Sequence, residues 1–160
     1  MSEALEQLKS ELKKIAYYDR ACTLFSWDMY TQVPRAGYED MGDALTYFST
    51  EAFTLKTSDK LFEILETLSA PEEFEALDEL WKFSVKVLKR EMDENRRVPK
   101  DFYSAFVAAQ TASSIAWEEA KEADDFSHFA PHLDRKDNSL SGTDTFRLVN
   151  RSGWFIFGVG

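Results

Sequence analysis

His128 and His132 stand four residues apart, the separation at which one helix face can offer two imidazoles to a zinc ion. A zinc helix that activates water carries Glu directly after the first His, whereas Phe129, Ala130 and Pro131 intervene here. Pro131 would also clash with any helix running continuously through both histidines, so a structural or surface role is expected for them. Carboxylate pairs occur at Glu72-Glu73, Glu118-Glu119 and Asp124-Asp125. General acid–base work needs two carboxyls in one cleft with separated pKa values, and acidic helix surfaces produce close pairs by abundance alone. No glycine-rich phosphate loop and no nucleophile elbow occurs, and Cys22 falls on an apolar helical stripe where burial is the expected fate. The stretch that stands out is Trp27-Asp28, followed by Thr31, Pro34 and Gly37. It reads as a structural clamp at a helix end. The indole is expected to fill a hole, and the carboxylate to accept hydrogen bonds from loop N–H groups.

Those residues must be positioned by helices. Leu5, Leu8, Leu12, Ile15, Asp19 and Cys22 repeat at three- and four-residue steps, predicting a helix from Glu3 to about Trp27 with Asp19 exposed. Residues 28–37 read as a connection: Pro34 pushes Val33 toward extended geometry and Gly37 permits a turn. Tyr38, Met41, Leu45, Phe48 and Ala52 predict a second helix to Leu55. Thr57 or Ser58 should cap a short one bearing Leu61, Ile64, Leu65 and Leu68. Ser69-Ala70-Pro71-Glu72 reads as the start of a long helix, its stripe formed by Phe74, Leu77, Trp81, Val85, Leu88 and Met92. A further helix follows Val98-Pro99, from Lys100 to Ala123, with Phe102, Phe106, Ala109, Ser113, Ala116 and Ala120 on a narrow face. So short a connection predicts that these last two form an antiparallel hairpin. Asp124-Asp125-Phe126 breaks the pattern, and Pro131 suits the first turn of another helix.

Composition narrows the function classes. The formal charge is −10, and Lys89-Arg90 with Arg96-Arg97 is diluted by Glu91, Asp93 and Glu94, which argues against nucleic-acid binding. No eighteen-residue apolar run supplies a membrane span. The opening MSEALEQLKSELKK has no apolar signal core, and one cysteine suits a reducing compartment, so a cytoplasmic location is expected. Four of the six glycines, at 142, 153, 158 and 160, lie after Arg135. The helical pattern ends there too, so residues 1–135 are expected to form a helical region and 136–160 an unrelated or disordered tail. TFRLV and WFIFGV within that tail could each make a strand.

Four segments in order carry a family resemblance: LFSWDMYTQVPRAG, DALTYFSTEAF, RRVPKDF and AWEEAKEADDFSHFAPHL. Over roughly residues 5–133 the chain resembles the amino-terminal region of the M32, or Taq-type, metallocarboxypeptidases. Trp27-Asp28, Pro34 and Gly37 match a WD…P…G signature, and Trp117 to Pro131 match the approach to the next long helix. The resemblance implies an all-α partial domain of a larger cytoplasmic homodimer that removes C-terminal residues from peptides. It implies zinc, or cobalt, on an HExxH helix with a downstream glutamate ligand, the motif Glu acting as general base.

The departures shape the expectation. No HExxH occurs in these 160 residues, so no catalytic residue, cofactor-binding residue or metal ligand carries over. The place four residues after Gly37, often Arg in the family, holds Met41. Trp27, Asp28, Pro34, Gly37, Trp117 and Pro131 are expected to act structurally. The chain reads as a metallocarboxypeptidase fragment, inactive alone, whose change of character after Arg135 fits a shifted frame or a fusion junction. The alternative is a non-enzymatic helical interaction or dimerisation module. Either way self-association is expected, through apolar faces around Phe102, Phe106 and Trp117.

Overall fold

The computed structural model describes residues 2–132, and the expectations for residues 136–160 lie outside them. Among the described residues the structure is all-α, with six α-helices and two 3₁₀ turns. Helix α1 spans Glu3–Thr31, with Glu3 and Glu6 favourably placed at the positive end of its dipole. It runs one turn beyond the expected end at Trp27. Nothing before Pro34 interrupts the i→i−4 ladder, and the Thr31 hydroxyl donates to the Trp27 carbonyl at 2.8 Å. Pro34 is extended (φ −65°, ψ 151°), and Arg35–Gly37 then form a 3₁₀ turn into α2, Tyr38–Lys56.

Helix α2 returns antiparallel along α1. Lys56 pairs with Asp19 at 2.9 Å, Cys22 Sγ lies 3.4 Å from Ser49 Oγ, and Phe25 meets Phe48 edge-on at 5.1 Å. Asp19 is therefore half-exposed and paired rather than simply solvated. Helix α3, Asp59–Ser69, is capped by Ser58, whose Oγ accepts from the Leu61 N–H at 3.3 Å. All four apolar residues expected on its inner face are buried.

The long helix expected after Ser69 is two helices. Ser69 remains inside α3, its hydroxyl donating to the Leu65 carbonyl at 2.6 Å. Pro71 opens a five-residue α4, Pro71–Glu75, without a side-chain cap. Asp78 then starts α5, Glu79–Asn95, by accepting the Trp81 N–H at 2.8 Å. That carboxylate stands in for the helical carbonyl, so the helix restarts where the stripe alone reads as continuous. The stripe itself is right: Phe74, Leu77, Trp81, Val85, Leu88 and Met92 all join one core with Leu5, Leu8, Ile15, Leu61, Ile64, Leu65 and Leu68.

Helix α6 spans Lys100–Ala123 as expected, but it does not fold back on α5. It packs against α2, antiparallel to it. Val98 and Tyr103 anchor the turn by joining Phe53 in a second, smaller core. The Phe53 and Tyr103 rings stack with centroids 4.1 Å apart. The apolar side of α5 is already taken by α3 and α1, so the short connection turns α6 away.

Candidate functional site

The loop after α1 and the segment after α6 converge. A cavity of about 360 Å³ opens between them, lined by Arg35, Tyr38 and Glu39 on one side and Glu119, His128 and His132 on the other. Its floor is the seam of α2 and α6, where Gly42, Thr111 and Ala116 are buried. Gly42 permits that approach, because a Cβ there would stand 3.2 Å from Thr111 Cγ2 and 3.8 Å from Ile115 Cδ1. Alanine and serine at 113, 116 and 120 keep the α6 face narrow.

Several side chains tie the far wall down. Asp124 ends α6 in the left-handed region (φ 52°), which Asp tolerates better than most residues. Asp125 then accepts from the Ser127 hydroxyl at 2.6 Å and the Ser127 N–H at 3.0 Å. These bonds hold its carboxyl below the usual carboxylate range. His128 Nε2 lies 3.0 Å from Glu119 Oε2, and Trp117 meets Phe129 edge-on at 5.2 Å. Beside the cavity Arg35 pairs with Glu122 of α6. A helical turn begins at Ala130, with Pro131 inside it where its missing N–H costs nothing.

Of the residues expected to act structurally, Pro34, Gly37, Trp117 and Pro131 fall on these converging segments. A Cβ at Gly37 would stand 3.0 Å from Val33 Cγ1, and its φ of −98° is one any residue adopts. Lack of space, rather than a special backbone angle, accounts for that glycine. Trp27 corrects the clamp expectation: it is 71% exposed and fills no interior hole, because α1 continues past it and turns it outward. At Asp28 the backbone carbonyl accepts from the N–H groups of Gln32 and Val33, at 2.9 and 3.1 Å. The loop-gathering role assigned to its carboxylate belongs to that carbonyl.

Arg35, Gly42 and Glu122 escaped the sequence reading, and Glu119 entered it only as half of a surface carboxylate pair. Arg35 sits inside the WD…P…G stretch, and Gly42 falls on the buried face of a recognisable helix, so both carried a signal. Glu119 and Glu122 did not stand out among so many surface carboxylates.

The arrangement does not suit a catalytic metal. Glu119 already bonds His128, and among the described residues no three His, Cys, Asp or Glu side chains cluster as a metal would require. Cys22 is no better as a nucleophile, since burial pushes its thiol up.

The family model of carboxypeptidase Taq (M32) metallopeptidase matches residues 7–138. Carboxypeptidase 1 of Bacillus subtilis is 37% identical over 124 residues, covering 78% of this chain and 24% of that protein. Thermostable carboxypeptidase 1 of Pyrococcus furiosus is 27% identical over 134 residues, covering 84% and 26%. The crystal structure of BsuCP superposes with a TM-score of 0.83 at 31% identity, over 96% of this chain and 29% of that one. The chain thus spans about a quarter of the length of the curated relatives it matches.

Proposed function

This chain belongs to the carboxypeptidase Taq (M32) metallopeptidase family, and from that membership we propose that it is the helical amino-terminal wall of a metal-dependent carboxypeptidase, without hydrolytic activity by itself. The observation that carries the reading is the junction of two family-like segments. The Arg35 loop and the Trp117–Pro131 segment meet around one cavity inside the matched residues, in a stretch that holds no HExxH. Peptide cleavage then needs zinc or cobalt bound by residues other than these 160, with a bound water as nucleophile. The proposed setting is cytoplasmic, and no helix among the described residues is long and apolar enough to cross a membrane.

The test is complementation. The chain alone, with zinc, should release no C-terminal residue from an amino-blocked peptide. Added to Bacillus subtilis carboxypeptidase 1 deleted of the matching helices, it should restore release. Turnover by the chain alone, or failure of a well-folded chain to restore any activity, overturns the proposal.

Self-association is the second reading, favoured by large apolar side chains left in water. Of the residues expected to carry it, Phe102 and Phe106 are half-buried and Trp117 is 46% exposed. Leu24, Trp27, Leu80 and Phe83 are each about two-thirds exposed or more.

A further inference from the structure

Helix α1 carries an outward stripe whose character changes halfway along it. Exposed residues recur on it at alternating steps of three and four. The first are Glu3, Glu6, Ser10 and Lys13, the composition of a surface that faces water. The stripe continues as Tyr17, Arg20, Leu24 and Trp27, and ends at Thr31. Tyr17, Leu24 and Trp27 are 54%, 67% and 71% exposed. This side points away from α2, which meets Tyr18, Cys22 and Phe25. Helix α2 lies between α1 and α6, so the outer side of α1's second half is an edge of the described helices.

We propose that the Tyr17–Thr31 stripe seats a helix from the catalytic region of the carboxypeptidase, an inference that rests on the carboxypeptidase reading. A contiguous apolar patch in water marks a contact surface. Alternating steps of three and four are the period of a seam between two long helices crossing at a shallow angle. The occupant follows from how little of the family these helices represent. They superpose on 29% of the BsuCP chain with a TM-score of 0.83, so most of that protein lies outside them. A helical domain grows by laying a further element over an uncovered apolar face, and the charged first half of the stripe offers none. Helix α1 also runs from Trp27 directly into the Arg35 loop at the cavity, which places the seat beside the candidate site. Trp27 is the anchor, and Leu24 and Tyr17 extend the contact along the helix. Arg20 stands between Tyr17 and Leu24 and has no ion-pair partner among the described residues. The seated helix therefore presents apolar residues to Trp27 and Leu24 and a carboxylate to Arg20.

The test measures binding of the full chain to Bacillus subtilis carboxypeptidase 1 deleted of the matching helices, by biolayer interferometry. Restored peptidase activity is followed in parallel by titrating the chain into that enzyme. Leu24→Ser with Trp27→Ser should weaken binding about tenfold or more. Activity at saturating chain should still reach the wild-type plateau, because the stripe seats a helix and takes no part in cleavage. Arg20→Glu should weaken binding about fivefold. Leu80→Ser with Phe83→Ser on α5 should change neither quantity. All these side chains are exposed, so far-UV circular dichroism should not move. A wild-type chain that neither binds nor restores activity overturns the carboxypeptidase reading and the seat together. Binding that ignores the α1 changes overturns the seat alone, and so does a lowered plateau at unchanged affinity. The seat also falls if sedimentation velocity shows a dimer of the chain that the α1 changes dissolve while binding to the deleted enzyme persists.

Discussion

The two halves of this molecule are packed on different principles. Around the first half of α1, helices α3 and α5 contribute large aliphatic side chains to one continuous core, with Leu8, Leu65 and Leu68 at no more than 1% exposure. Around the second half of α1, helices α2 and α6 touch through glycine, alanine, serine and threonine, and among the described residues their buried apolar cluster is smaller, built on Phe53, Val98 and Tyr103. The first half is held by dense aliphatic packing, the second by aromatic contacts and the close approach of backbones. Close backbones with small side chains leave room at the end of the seam, and the cavity lies there. Stability and the candidate site are thus separated along one helix.

Truncations should expose that separation most strongly. Leu65→Ala removes a fully enclosed side chain and should cost about 2–5 kcal/mol, read from the urea unfolding midpoint. Ile115→Ala acts on a residue that already faces the cavity, so the same measurement should show about 1 kcal/mol. Equal losses at the two sites would erase the distinction. The seam itself should respond to added volume instead. Gly42→Val should cost about 1–3 kcal/mol by forcing α2 and α6 apart. Combining it with Thr111→Ser, which deletes the crowded methyl, should recover part of the loss. Strict additivity of the two changes would mean that Gly42 is not the point of contact.

The same contrast explains what the sequence disclosed. Periodic apolar stripes report core faces, so α2 and α6 appeared within a residue or so of their observed ends, α3 with its cap and inner face, and every residue of the Phe74–Met92 stripe in the core. Periodicity does not report which face meets which. The α5–α6 hairpin was expected from a short connection, yet the small-residue face of α6 had its complement in Gly42 on α2. The stripe likewise ran smoothly through Asp78, because a cap is a local polar event that hydrophobic spacing does not register. The family-like segments marked Pro34, Gly37, Trp117 and Pro131 without showing that they converge. The Arg35–Glu122 pair beside the cavity joins residues too far apart in the chain for spacing to suggest it.

The break between α4 and α5 offers a smaller effect within the densely packed half. Asp78→Ala leaves the Trp81 N–H without its acceptor and should cost about 1 kcal/mol. An Asn at the same place should retain most of that. If alanine is neutral, the chain turns at Ala76–Asp78 for reasons of packing alone, and the densely packed half needs no local polar device.

The smallest effect is confined to acid and concerns the edge of that same half. Glu11 is buried on α1 and accepts from Lys14 at 2.8 Å and from Lys60, at the start of α3, at 2.7 Å. Hydrogen bonds from Lys14 and then Lys60 hold its carboxyl below the usual 4.5 despite the opposing effect of burial. A carboxyl whose folded pKa is depressed binds protons more readily in the unfolded chain. Its contribution is therefore fully present above 4.5 and is lost as pH falls through the lower folded value. Glu11→Gln should lower stability at neutral pH by about 1 kcal/mol, because both lysines are well exposed and water screens them. The wild-type and Gln curves should then converge on acidification. A constant gap between them at all pH values would assign the loss to packing rather than charge, and α1 and α3 would be joined by their leucines alone.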